Sequence, residues 1–334
     1  MRSEAGGVLV SVVVPTCGRP ELLGRCLAAL GMQQFPGDMY EVIVCDDGAS
    51  AATEAQVTGV ALSWDGLPAL RYLAVHETRG PAGARNAGWR AARGSLIAFT
   101  DDDTIPAPDW VGQGVRALTP DVAALSGATS MPLPDPPTDY ERDASGLTRS
   151  EFITANCFVR RSALQQVGGF DPRFTMAWRE DSDLHFALIT QGMRVLRAPL
   201  ARVEHPYRPV PFLGGLRMQK KVLFDGLLYR KHPDLFRTRI RSSPPWFYFV
   251  TCAAFVTALA LSAAALARMQ GPMPAAFVWV VWLALTGMFF VRRLRGTARR
   301  PRDVLDLLIT SACIPVLATF WRIVGMLRFG RVYP

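Results

Sequence analysis

The chain has 334 residues, with 37 Lys and Arg against 28 Asp and Glu, and its formal charge of +9 conceals two opposite halves. Residues 1 to 207 carry 18 basic and 24 acidic side chains, a balance of −6, while residues 208 to 334 carry 19 and 4, a balance of +15. Half the residues are hydrophobic, which excludes a disordered chain, and the first segment alone is long enough to bury a core, which excludes a disulfide-stapled miniprotein. A pI near 9.6 would suit nucleic acid, but the positive charge gathers beside the most apolar stretches. That placement points to a membrane surface instead.

The first apolar run, VLVSVVV at 8 to 14, ends at Pro15. It is too short and wrongly flanked for a secretory signal, so the acidic segment is expected in the cytoplasm. Three further short runs follow, at 41 to 45, 70 to 75 and 95 to 100, each nearly continuous in apolar residues, as strands buried on both faces are. Helix-patterned segments separate them, with Pro20 and Pro81 suited to first turns and Gly94 to the stop before the fourth strand. This alternation predicts an α/β fold, a mostly parallel sheet flanked by helices. A further helix is expected over 180 to 191. The six cysteines, at 17, 26, 45, 157, 252 and 313, form no metal-ligand spacing and read as reduced, mostly buried thiols.

Ligands of open α/β sheets bind beyond the carboxyl ends of the strands. After the first strand stand Pro15, Thr16 and Arg19; after the second, Asp46, Asp47 and Gly48; after the fourth, Asp101, Asp102 and Asp103. A single Asp at such a place is ordinarily a cap or turn residue. Five on one edge repel one another unless a cation or ligand donors compensate, and hard oxygen ligands of this kind suit Mg²⁺ or Mn²⁺ carrying a diphosphate. Neither a P-loop nor a G-x-G-x-x-G turn follows the first strand. The glycine-containing segment GPAGARNAG, 80 to 88, follows the third strand, and its Arg85 suits either a phosphate or a neighbouring carboxylate.

Taken together, SVVVPTCGRPELL (11 to 23), VIVCDDGAS (42 to 50), RGPAGARNAG (79 to 88), IAFTDDDTIPAPDW (97 to 110), TANCFVRRSALQQVGGFDPRF (154 to 174) and WREDSDLHFAL (178 to 188) resemble, in order, the motifs of the family 2 inverting glycosyltransferases of GT-A fold. The resemblance covers about residues 8 to 207. It implies that Thr16, Arg19 and Asp47 lie near the base and ribose of a nucleotide sugar, UDP-linked in the commonest case, with Asp47 accepting from a ring N–H. Asp46 suits either that nucleotide or the cap of the next helix. Asp103 is implied as the direct metal ligand, Asp101 as a ligand or, with Asp102, as a ribose or water contact, and His205 as a residue near the diphosphate or metal, unless it is a surface His. Asp181 is the implied base, with Glu180 beside it, and Asp183 a cap or ion-pair partner. Trp178 suits a sugar face or the core. The Q-x-x-R-W motif of processive synthases is missing, which argues for one sugar per encounter. A non-catalytic nucleotide-sugar scaffold is the alternative, and it is disfavoured by the intact acidic motifs.

Beyond the domain at 1 to 207, residues 208 to 245 read as a basic amphipathic segment suited to an anionic inner leaflet; between 208 and 241 they hold nine Arg and Lys against two Asp. Residues 246 to 334 form the membrane region. The uncharged runs 246 to 267 and 275 to 291 are long enough to cross a bilayer, and the arginines after the second place both flanks of this hairpin in the cytoplasm. The run 304 to 327, with Asp306, Pro315 and Arg322, reads as interfacial or re-entrant. The implied protein is a multi-pass inner-membrane enzyme whose acceptor is a lipid or lipid-linked glycan, with no nucleic-acid partner.

Overall fold

A computed structural model describes residues 7 to 77 and 79 to 334. The chain divides into two compact units. One comprises residues up to Pro132 together with Ser145–Tyr207; the other comprises Leu133–Ala144 and Arg208–Pro334. Residues 133 to 144 thus interrupt the first unit in sequence while belonging to the second.

The first unit is built on eight strands: β1 (Val10–Thr16), β2 (Tyr40–Asp46), β3 (Ala69–Ala74), β4 (Leu96–Thr100), β5 (Ile105–Pro106), β6 (Ala124–Ser130), β7 (Asn156–Arg160) and β8 (Val195–Glu204). They form one sheet in the order β3-β2-β1-β4-β7-β6-β8-β5. The four expected strands are the parallel half, with β1 between β2 and β4 and β3 outside β2. β7 then runs antiparallel between β4 and β6, and β6 pairs parallel with β8. The sheet is therefore mixed. Helices α1 (Pro20–Gly31), α2 (Ala51–Ser63), α3 (Pro81–Ala91), α4 (Trp110–Ala117), α6 (Arg161–Val167) and α7 (Glu180–Thr190) connect these strands.

Two buried layers result from the period of two along each strand. Val10, Val12 and Val14 pack with Leu23, Leu27 and Trp110, whereas Val13 faces Ile43, Ala82 and Phe99. Pro20 and Pro81 occupy first-turn positions, where the missing N–H costs nothing. Gly88 lets α3 approach the sheet, since a Cβ there would lie 2.4 Å from Val13 Cγ1. The cysteines are all unpaired thiols; Cys26, Cys45 and Cys157 are buried and Cys17 is exposed.

The second unit is helical, with α5 (Asp139–Ala144), α8 (Gly214–Met218), α9 (Leu223–Lys231), the single turn α10 (Pro233–Leu235), α11 (Trp246–Leu266), α12 (Met273–Leu294) and α13 (Pro301–Phe329). The last three are long and apolar enough to cross a membrane. α11 and α12 form an aromatic-lined hairpin in which Phe247 and Tyr248 pack on Phe289 and Phe255 on Trp282. The third apolar run is one continuous helix of 29 residues that carries Pro315 inside it. A re-entrant path requires a reversal within the run, and the structure has none.

Candidate active site

Three side chains gather at the end of β4. Asp101, Asp103 and His205 each offer a ligand atom, and these atoms lie within 4.8 Å of one another. Thr104 sets the turn that presents the aspartates, its hydroxyl donating to the Asp101 carbonyl at 2.7 Å. His205 follows the last residue of β8, its backbone N–H donating to the Ser130 carbonyl at 2.8 Å. Its Nε2 lies 3.5 Å from Asp103 Oδ1 with only 12% of the side chain exposed, so it is not a surface His. Two carboxylates and an imidazole are a donor set that fits a divalent ion such as Mn²⁺ or Mg²⁺.

Asp102 turns inward and has a different task. It is 2% exposed, accepting from the Thr16 hydroxyl at 2.7 Å and from Arg19 Nη1 at 3.0 Å. Burial lifts its pKa to about 6 although Arg19 and Thr16 pull the other way. Thr16 and Arg19, expected on base and ribose, thus each hold Asp102. Pro15 is buried within β1, opposite Cys45 in register.

The second strand end divides its two aspartates. Asp46 is fully buried and accepts from the N–H groups of Gly48 and Ser50 and from the Tyr72 hydroxyl; it fixes the turn into α2, the cap-side one of its two expected roles. Asp47 Oδ2 accepts from the Gly80 N–H at 2.7 Å, while its Oδ1 is buried without a hydrogen-bond partner among the described residues. Gly80 has φ of 91°, and a Cβ there would lie 2.5 Å from the Thr175 carbonyl, so a larger residue would displace this contact.

Arg85 joins the third strand's loop to the helix carrying the candidate base. It is 2% exposed, with Nη2 at 2.6 Å from Asp101 and Nη1 at 3.1 Å from Glu180. Of its two expected partners, it faces carboxylates. Burial pushes the Asp101 carboxyl up, but the guanidinium outweighs it and holds the group below its ordinary pKa. At Glu180 burial prevails, with Asp181 adding to it, and the pKa rises to about 7 despite Arg85. Burial also raises Asp181, against the Ser182 N–H that donates to its Oδ1 at 2.6 Å. Asp181 is half-buried, Asp183 is buried on the same helix, and Trp178 is 37% exposed beside the Arg179 guanidinium. Trp178 is therefore not core.

Several supports were not among the residues singled out from sequence. Asn86 exchanges hydrogen bonds with the backbone of Phe170, anchoring α3 beside the segment that leads to α7. Asn156 accepts from the Trp110 indole and donates to the carbonyls of Ala128 and Ala201, locking β6, β7 and β8 together. Both are amides inside otherwise apolar or small-residue motifs, the one available sign of a buried polar anchor.

The sheet order and the acidic strand ends define a GT-A fold, and solved structures agree. A mannosyltransferase from Pyrobaculum calidifontis, solved with GDP-Man and Mn²⁺, superposes with a TM-score of 0.58 at 24% identity, covering 95% of this chain and 87% of that one. The chain belongs to glycosyltransferase family 2: it matches Glycosyl transferase family 2 over residues 11–168 and Glycosyl transferase family group 2 over residues 96–291. Among curated relatives, it is 31% identical to a pre-mycofactocin glycosyltransferase of Mycobacterium tuberculosis over 247 residues, 67% of this chain and 48% of that protein. It is 29% identical to the glycosyltransferase AglE of Haloferax volcanii over 171 residues, 48% of this chain and 55% of that one. The chain thus spans about half the length of the curated relatives it matches.

Proposed function

We propose that this protein is a membrane-anchored inverting glycosyltransferase that moves one sugar from a nucleoside-diphosphate donor to a lipid or lipid-linked acceptor at the cytoplasmic face. The observation that carries the reading is the Arg85 bridge. It couples Asp101 of the Asp–Asp–His group to Glu180, the residue beside Asp181, so that a diphosphate site and a base share one buried cation.

In this reading Asp181 takes the proton of the acceptor hydroxyl as its oxygen attacks the anomeric carbon; the bond to the diphosphate breaks and its electron pair leaves on the diphosphate oxygen. A single displacement inverts the anomeric centre. A raised pKa suits such a base, because it binds the proton more firmly at neutral pH. Asp101, Asp103 and His205 are the residues to hold the divalent ion, which when bound neutralises charge on the departing diphosphate. Asp47 Oδ1, buried without a partner among the described residues, suits a ring N–H of the nucleobase. Thr16, whose carbonyl accepts from the Asp47 N–H at 3.0 Å, and Arg19 hold Asp102 at the neighbouring strand end. Trp178, exposed beside the base helix, suits a sugar face.

A mannosyltransferase of the same fold was solved with GDP-Man and Mn²⁺, which supports a nucleotide sugar and a divalent ion as the pair to test. A lipid-linked acceptor is proposed because the second unit carries the apolar hairpin α11–α12 and because residues 208 to 334 carry the +15 charge. Titration of UDP- and GDP-sugars into the full chain, with and without Mn²⁺, tests it. Metal-dependent donor binding followed by mass-spectrometric detection of a glycosylated membrane lipid is expected; donor binding without any transfer to native membrane lipids would favour a scaffold.

A further inference from the structure

Strand β8 does not run evenly from its start to the site, and the irregularity decides which way His205 points. We infer that Asn156 is a positioning residue for His205, its side-chain amide clasping the step in β8 that turns the histidine toward Asp103. This role rests on the metal reading above, in which Asp101, Asp103 and His205 hold a divalent ion.

The step shows in the pairing of β6 with β8. Gly127 faces Ala198, but the next residue, Ala128, faces Arg202, so β8 inserts Pro199, Leu200 and Ala201 where β6 advances by one. In an unbroken strand, residues three apart point to opposite faces. Ala198 and Ala201 are three apart, yet both are buried in one layer, which Val203 joins, whereas Leu200 is 63% exposed and Arg202 and Glu204 are also exposed. The insertion therefore reverses the alternation. Counted on from Ala198 without it, Leu200, Arg202 and Glu204 would face the core and His205 would turn away from it. With it, His205 continues the inward row of Ala201 and Val203, and its Nε2 lies 3.5 Å from Asp103 Oδ1. The shifted stretch also pairs with β5, Val203 with Pro106 and Glu204 with Ile105, and Ile105 stands two residues after Asp103. One register thus sets both ligands.

Asn156 holds this step from β7, on the other side of β6. A bulge leaves ladder groups without their cross-strand partners. The Asn156 amide nitrogen donates to the Ala128 carbonyl at 2.9 Å and to the Ala201 carbonyl at 3.0 Å, one on each strand of the stepped pair. Its Oδ1 accepts from the Trp110 indole at 2.8 Å. An indole N–H can only donate, so it fixes which end of the amide is oxygen and leaves both amide N–H bonds for the carbonyls. Asn156 and Trp110 are fully buried. Position 127 must be glycine for the same reason, because a Cβ there would run into the Ala201 carbonyl oxygen and both amide atoms of Asn156. Pro199 suits the insertion, having no N–H to lose from a ladder.

Asn156→Asp keeps the shape and the bond from Trp110 but sets a carboxyl oxygen against two carbonyls. Gly127→Ala, which presses on the same step from β6, is scored in the same way and decides the matter should the first variant fail to fold. Each is made in the full chain, with and without His205→Ala. Hydrogen exchange in the metal-free protein is the first readout. Faster exchange at 199 to 205 and in β5 is expected; parental exchange there overturns the clasp whether or not a metal binds. Paramagnetic resonance of free Mn²⁺ titrated against the protein is the second. A ~10-fold loss of Mn²⁺ affinity is expected, with less than about a twofold further loss in the His205→Ala background, because the effect runs through that ligand. Parental Mn²⁺ affinity would overturn the positioning role, as would an equal loss in both backgrounds, the mark of a general loosening of the fold. If His205→Ala alone keeps parental Mn²⁺ affinity, the metal reading falls instead, and hydrogen exchange still decides the clasp.

Discussion

Each unit of this protein buries an arginine, and the two are used in opposite ways. Arg85 of the acidic unit is 2% exposed and lies between two carboxylates at 2.6 and 3.1 Å. Arg322 of the basic unit is 3% exposed, donates to the Tyr333 carbonyl at 3.1 Å and stacks on the Tyr333 ring at 4.1 Å. The first arrangement keeps one carboxyl ionised and positions another; the second joins a helix to the chain end that follows it. Burying a guanidinium is costly wherever it happens. What distinguishes the two is whether the compensating groups belong to the chemistry or to the packing.

The comparison can be broken most decisively at the aspartates themselves. Asp181→Asn removes the proposed base and is expected to lower sugar transfer ~10²- to 10⁴-fold, and Asp103→Asn to abolish the Mn²⁺ dependence of donor binding; initial rates of radiolabelled transfer and donor titrations measure both. Next comes the arginine contrast. Arg85→Met strands the buried Glu180 and the half-buried Asp101 and is expected to destabilise the acidic unit by about 3 kcal/mol, with Arg85→Lys restoring part of the stability but not kcat, because an ammonium cannot reproduce the two-armed geometry. Arg322→Met should cost less in thermal stability and leave kcat with a soluble acceptor analogue unchanged; a large fall in kcat there would erase the distinction.

Smaller effects sharpen the same contrast. Replacing Arg217 or Lys220 by Gln should weaken binding to anionic vesicles about fivefold per residue, corresponding to ~1 kcal/mol each, with the loss disappearing at high salt. The pH effects belong to the acidic unit. Burial raises the pKa of Asp181, the proposed base, above its ordinary value, so the acid limb of kcat/KM is expected above the ordinary carboxylate range. Glu180 is raised to about 7, so its contribution to stability is present below its unfolded pKa and is lost as pH rises through about 7. Glu180→Gln should therefore flatten the fall in unfolding temperature between acidic and neutral pH; an unchanged slope would show that Glu180 is not the group responsible.

Much of the parallel half-sheet was legible in the residues, because doubly buried strands leave continuous apolar runs and their ends collect the polar groups. β1, β2, β3 and β4 lie within two residues of the runs that announced them. The hairpin was legible for the same reason, as an uncharged length. What stayed hidden were pairings across long stretches of chain. Arg85 meets Glu180 across 95 positions, and Thr16 meets Asp102 across 86; no local pattern encodes either. Arg85 does carry one sign, a single charge amid Ala82, Gly83 and Ala84 on a buried helical face, which requires a buried counter-charge without saying which. The packing of α13 was similarly hidden, since apolar length states only that a helix can meet lipid, and no local pattern pairs Arg293 with Thr310 and Ser311 or Asp306 with Leu213.

The central claim is that Asp181 is the base of a transfer reaction on a donor held elsewhere in the same unit. Its most direct test is to measure donor binding and transfer side by side for Asp181→Asn in the full chain with Mn²⁺. The account predicts donor affinity within about twofold of the parent and transfer reduced at least ~10²-fold. Transfer at the parental rate would contradict it.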